Sequence, residues 1–203
     1  MKIIKTLLLS CVLLLAARTE SRAQDWYGIA TWQISFPAGD TKDFVDEVSY
    51  RGFGMEFRKA LNPGSTVGIL GGWNVFHQRT SELIEFENGA ASGSQDRYIN
   101  SFPIMLGFHR YFGERGGTRP YVGLNGGGFV LIQTLRLGTA EIEEDSWEWG
   151  LTPEAGVVVP MQYGAAFIAN ARYQWSPTPQ TLAGTDADLT YWAIHLGFVW
   201  EQQ

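Results

Sequence analysis

Cysteine is nearly missing from these 203 residues: the chain has one, Cys11. It falls in a stretch that is expected to be removed. Lys2 and Lys5 precede an apolar run from Thr6 to Ala17, and a short polar segment then ends in Ser21-Arg22-Ala23. A basic start, an apolar core too short for a finished membrane span and small residues before the cut form a secretory signal. Residues 1–23 are therefore read as a cleaved signal peptide, and 24–203 as one mature domain. A membrane-anchor helix is the alternative reading of the short run. Leu8-Leu9-Ser10-Cys11 faintly resembles a lipoprotein cleavage box, but the apolar run continues past it through Val12 to Ala17. Without Cys11 the mature chain has no disulfide, no thiol nucleophile and no Cys-ligated metal site.

Positive charge is also scarce. Residues 1–23 hold four of the 15 basic residues and one of the 21 acidic ones, which leaves 11 against 20, net −9. Nucleic acid is excluded as a partner on this ground, because phosphate binding needs a basic footprint. The mature chain has no apolar run of the length that a transmembrane helix requires, and almost no helical periodicity.

What the chain does have is alternation. Eight segments place apolar residues at period two, most plainly Thr190 to Glu201, with Trp192, Ile194, Leu196, Phe198 and Trp200 on one face. Its other face carries Tyr191, Ala193, His195, Gly197, Val199 and Glu201. The remaining segments are Trp26–Phe36, Ser49–Lys59, Thr66–His77, Tyr98–Phe112, Arg119–Gln133, Trp147–Met161 and Tyr163–Trp175. Residues 37–48, 78–97, 134–146 and 176–189 connect them as long polar loops, whereas 60–65, 113–118 and 162–164 are short. Long and short connections alternate strictly, as they do when an even-stranded barrel crosses an outer membrane with both termini in the periplasm.

The fold class is accordingly all-β, an eight-stranded antiparallel up-and-down transmembrane β-barrel. The competing architecture is a soluble eight-stranded carrier barrel. Its outer face would be charged, but here the non-apolar face is mostly Gly, Ala, Asn, Ser and Thr, which suits a narrow filled lumen. Trp26, Trp149, Trp175, Trp192 and Trp200 are read as an aromatic girdle, with Trp192 at the outer interface and Trp200 at the inner one.

Arg119-Pro-Tyr-Val-Gly-Leu-Asn-Gly-Gly-Gly128, Pro103-Ile-Met-Leu-Gly107, Thr152-Pro-Glu-Ala-Gly156 and Ala171-Arg-Tyr173 resemble strand motifs of small outer-membrane β-barrels. The group meant is that of the OmpA membrane domain, the OmpW-like and the opacity-protein-like barrels, and the resemblance runs from Trp26 to Trp200. It implies an outer-membrane location in a Gram-negative-type bacterium, reached by the secretory pathway, with membrane lipid, lipopolysaccharide and the barrel-assembly machinery as partners. The surface partner is unknown. Two departures stand out. No periplasmic domain follows the barrel, so cell-wall anchoring is not implied. The chain also ends Trp200-Glu-Gln-Gln203, where the family's assembly signal is usually aromatic.

Inward charges are few. If Met161 pairs with Ala165, Glu154 stands opposite Arg172, and an ion pair is expected because lone charges in a narrow lumen are costly. Glu56 and Arg58 are candidates to join it. The pair is expected to plug the lumen; the sharper alternative is a gate that opens by exchanging partners. His77, His109 and His195 show no metal-ligand spacing, so no metal and no cofactor is expected. Lipid A deacylases and palmitoyl transferases occur on this architecture, but a deacylase should show a Ser two residues after a His. None of the three histidines has one, and no catalysis is expected. The acidic run Glu141-Ile-Glu-Glu-Asp145 is read as a solvated surface loop, with divalent cation binding as the alternative.

The expected role is structural or surface-interacting, through four loops. A narrow channel or transporter for small or hydrophobic molecules, as proposed for OmpW-like relatives, is the alternative, and a lipid-modifying enzyme comes third. A wide porin is disfavoured, since open channels need roughly 16 strands or more. After refolding in detergent, the mature chain should give a strand-type circular dichroism spectrum and a heat-modifiable gel shift. A mature chain soluble without detergent would overturn the membrane reading.

Overall fold

The computed structural model describes residues 26–86, 89–137, 140–161, 164–178 and 187–202. The predicted signal peptide, with Cys11, lies outside them. Eight strands alternate down the chain: β1 (Trp26–Pro37), β2 (Gly52–Asn62), β3 (Ser65–Phe86), β4 (Gly89–Tyr111), β5 (Arg119–Leu137), β6 (Ala140–Pro160), β7 (Ala165–Thr178) and β8 (Ala187–Gln202). Every neighbouring pair is antiparallel, and β8 closes on β1. The closing register joins Tyr27 to Glu201 and Phe36 to Trp192, the pairing expected for the last strand.

Register also fixes the diameter. Partners followed once round from Gly28 pass through Phe57, Ile69, Leu106, Gly126, Leu151, Trp175 and Thr190. Thr190 then accepts a hydrogen bond from the N–H of Ala38, ten residues further along the chain than Gly28. A shear of ten with eight strands gives a tilt of about 41° and a radius of about 8 Å. Side chains alone fill so narrow a tube.

The faces divide as the alternation predicts. Phe53, Met55, Phe57, Ile104, Leu106, Leu124, Leu151, Ile194 and Phe198 are exposed, while Thr31, Gln33, Glu56, Arg58, Asn125, Thr152, Glu154, Asn170 and Arg172 are buried. Apolar outside and polar inside reverses the arrangement of a protein folded in water, and it is what a strand wall meeting lipid requires. All five girdle tryptophans point outward, joined by Trp32, Trp73 and Trp147. Indole N–H groups near the rims find polar partners: Trp175 donates to Asp188 at 3.0 Å and Trp73 to Asn100 at 3.2 Å. A ring that is apolar in body and polar at one tip belongs at such a boundary.

Three sequence expectations need correction. Residues 78–86 and 89–97 are not loop: they pair continuously from Gln78 opposite Arg97 to Phe86 opposite Gly89. Residues 134–137 and 140–146 pair likewise, from Thr134 opposite Glu143 to Leu137 opposite Ala140. These hairpins extend the ladders past the period-two apolar segments, and their sequences carry no apolar stripe to mark them as strand. The connection 37–48 holds a short helix, α1 (Gly39–Phe44). Finally Val75, which shares the parity of the outward Ile69 and Trp73, is buried, with the chain at 49–51 bonded alongside it. There Val75 donates its N–H to the Arg51 carbonyl at 3.0 Å, and the Ser49 hydroxyl bonds the Val75 carbonyl.

That segment repairs a gap in the wall. The β1–β2 ladder stops at Trp32 opposite Phe53, while β1 runs on to Pro37. Ser35 and Ser49 exchange backbone hydrogen bonds of 2.8 Å, and Val45 is driven into the barrel mouth, fully buried. A charge on the lipid face should be costly at mid-wall and nowhere else. Ile104→Arg is expected to lower stability by about 2–4 kcal/mol, read from urea unfolding of the protein in lipid, whereas Arg136→Gln on the β5 extension should be neutral.

Candidate functional site in the barrel lumen

Alternation in β2 turns Glu56 and Arg58 inward, and the short turn after β6 sets Glu154 opposite Arg172 of β7. Met161 donates its N–H to the Ala165 carbonyl at 2.8 Å, the pairing that fixes this register. β2 lies across the lumen from β6 and β7, and the four side chains meet in the middle. Arg58 Nη2 is 2.6 Å from Glu56 Oε2 and 2.9 Å from Glu154 Oε1. Arg172 Nε is 2.7 Å from Glu154 Oε2, and its Nη2 touches Glu56 Oε1. Each carboxylate thus contacts both guanidiniums and each guanidinium both carboxylates, a closed ring of zero net charge. At most 2 % of any of these side chains is exposed.

Neighbours add further contacts to the ring. Arg58 donates to the Tyr111 hydroxyl at 2.8 Å and its guanidinium carbon lies 5.1 Å from the Tyr121 ring centroid. Asn125 donates to Glu154 at 3.2 Å, and His109 Nε2 lies 3.0 Å from Glu154 Oε1. Gly123 leaves the space for this approach: a Cβ there would stand 2.4 Å from His109 Cδ2 and 2.9 Å from Glu154 Cγ.

Two apolar clusters bracket the ring. Toward the long-hairpin end lie Val45, Leu70, Phe76, Ile99, Met105, Phe129, Leu131 and Tyr191. Toward the short-turn end lie Tyr27, Ile29, Tyr111, Tyr121, Val158, Ile168 and Val199. Sequence reading missed the first cluster. Phe129-Val-Leu-Ile132 and Val75-Phe76 are apolar on both faces, so alternation does not single out their inward members.

The histidines occupy three different surroundings. His77 stacks on Tyr98, with centroids 4.3 Å apart, and stands 3.4 Å from Asp96. His195 Nδ1 is 3.2 Å from the Thr31 hydroxyl, and His109 belongs to the ring's edge. Among the described residues no group of three His, Cys, Asp or Glu side chains is placed to hold a metal ion. Thr66, His109 and Glu154 do form a line of hydroxyl, imidazole and carboxylate. Both Glu154 oxygens are occupied by arginines, however, and Thr66 is buried, so the line lacks an accessible nucleophile. Arg136 and Glu141 of the acidic run form an exposed ion pair at 3.0 Å.

A closed barrel of eight antiparallel strands, apolar outside and with a buried ion ring inside, is the architecture of the small outer-membrane β-barrels. Similar solved structures belong to that class. OprG of Pseudomonas aeruginosa aligns over 90% of this chain and 97% of its own at 16% identity, TM-score 0.56. Neisserial surface protein A aligns over 88% and 96% at 11% identity, TM-score 0.52. Ail, the attachment invasion locus protein of Yersinia pestis, solved with the heparin analogue sucrose octasulfate, aligns over 88% and 100% at 14% identity, TM-score 0.51. No family model and no curated protein matches the sequence.

Breaking the ring from one side strands a buried charge. Arg172→Ala is expected to cost about 3–5 kcal/mol in equilibrium unfolding from lipid. The Glu154→Ala/Arg172→Ala double variant should cost less than the sum of the two single variants, since each removes the other's partner.

Proposed function

We propose that the protein is a non-catalytic outer-membrane barrel that integrates into the envelope and presents hairpins to the outside. The observation that carries this reading is the contrast between its interior and its ends. The lumen is crossed by a neutral ion ring with an apolar cluster on either side. The β3–β4 hairpin meanwhile continues for nine paired positions beyond His77 and Tyr98, about 30 Å along the strands. Long hairpins lie at the extracellular end and short turns in the periplasm, as in bacterial barrels generally.

Several elements support export and assembly. Residues 1–23 serve as the secretory signal, the barrel-assembly machinery inserts the strands, and lipopolysaccharide surrounds the outer half. The Glu56–Arg58–Glu154–Arg172 ring acts as a structural plug. The long hairpins are where a surface partner would bind, since projecting segments on a rigid scaffold carry function more often than the scaffold does.

A second reading, passage of small hydrophobic molecules, is favoured by one feature: the apolar cluster under the extracellular mouth, capped by Val45. Planar-bilayer recordings separate the two. The wild type should give no steady single-channel current, and cells expressing a variant with residues 81–94 replaced by Asn-Gly should lose surface attachment while the barrel still shows its heat-modifiable shift. Steady current from the wild type, with attachment unchanged, would sink the structural reading.

A further inference from the structure

The outer wall near the short-turn end is not uniformly convex. Trp26, Phe57, Ile69, Leu106, Phe108 and Leu124 line a groove of about 520 Å³ that reaches from β1 to β5, within the range of roughly 300–1,000 Å³ typical of ligand sites. The backbone of Gly68 and Gly107 forms part of its floor, between the outward side chains of Val67, Ile69, Leu106 and Phe108. Lys59 lies on its rim, with Nζ 5.6 Å from the Trp26 ring centroid. Arg110 stands two strands away: Lys59 pairs with Val67, and Ser65, two residues earlier on β3, pairs with Arg110. Arg110 is exposed and donates to the Ser65 hydroxyl at 2.9 Å.

Placement makes the two cations informative. Lys59 and Arg110 stand on the outward face of β2 and β4 at this end; Lys59 lines the groove, and Arg110 lies two residues beyond its lining residue Phe108. The outward carboxylates of Glu141, Glu143 and Asp145 lie at the opposite end, on the β6 extension. Lipid tails meet every side of the barrel alike, so apolar contact alone selects no particular lipid. A concave seat beside two cations at headgroup depth does select, because basic residues near an anionic lipid surface each add attraction.

We propose that this groove is a site for an anionic phospholipid of the periplasmic leaflet, with Lys59 and Arg110 holding the phosphate and one acyl chain lying along Phe57, Ile69 and Leu106. The assignment of the leaflet rests on the orientation proposed above.

The test is lipid retention. Wild-type protein refolded in phosphatidylcholine bilayers doped with phosphatidylglycerol is transferred to detergent, and bound lipid is counted by native mass spectrometry. Phosphatidylglycerol should be retained in preference to phosphatidylcholine. A Lys59→Gln/Arg110→Gln variant should lose it by about tenfold or more, whereas Arg79→Gln/Arg136→Gln, at the other end, should not. Leu106→Trp keeps both cations but fills the groove, and should also lower occupancy. Equal retention of the two lipids by the wild type, or unchanged retention in both groove variants, would overturn the site. The wild-type heat-modifiable shift is measured on the same samples; its absence would instead overturn the barrel's membrane insertion.

Discussion

Four charges share a tube about 8 Å in radius, and much of the molecule is arranged around that constraint. A single carboxylate at this depth would face a desolvation cost of several kcal/mol. A single Glu–Arg pair would still leave half of each group's hydrogen-bonding capacity unused. The closed ring of Glu56, Arg58, Glu154 and Arg172 gives every charge two opposite neighbours. It also ties β2 to β6 and β7 across the lumen, a link that backbone ladders between adjacent strands do not supply. The small residues beside it follow from the same crowding, Gly123 most clearly, since any Cβ there would displace His109 or Glu154.

The ring's surroundings set its strength. Apolar clusters above and below keep water from both carboxylates, so each contact acts in a medium of lower effective dielectric than a surface pair. Tyr111 and Tyr121 do double service: they belong to the lower cluster, and they present a hydroxyl and a ring face to Arg58. Exclusion of water strengthens the attraction and raises the penalty for losing a partner, so the ring is stable when complete and intolerant of partial loss.

Much of this was legible in the sequence, for a definable reason. Lipid on one side and a packed polar lumen on the other make alternation strict, so parity assigned Glu56, Arg58, Glu154 and Arg172 inward and the five girdle tryptophans outward. Short turns fix register, so the opposition of Glu154 and Arg172 was legible too. The meeting of β2 with β6 and β7 was only a possibility at that stage, because strands that are not neighbours meet according to shear, which no single turn determines. Parity fell silent where both faces share a character. It missed the apolar upper lumen at Phe76, Phe129 and Leu131, where lipid face and lumen face are both greasy. It also missed the hairpin extensions at 78–86, 89–97, 134–137 and 140–146, whose sequences carry no period-two apolar stripe.

These limits bear on where function can reside. Within the wall, each outward position must suit lipid and each inward position must fit a crowded tube, so most strand residues answer to the fold. That is why chains only 11–16% identical share this architecture, and why the likeness carries no activity from one to another. Positions released from both demands lie beyond the belt, on the β3–β4 and β5–β6 extensions, and at the lower rim, where a lysine and an arginine stand on a lipid-facing surface that packing alone would leave apolar. Charge retained where the fold does not require it points to a ligand more directly than charge in the lumen, where the ring already accounts for it.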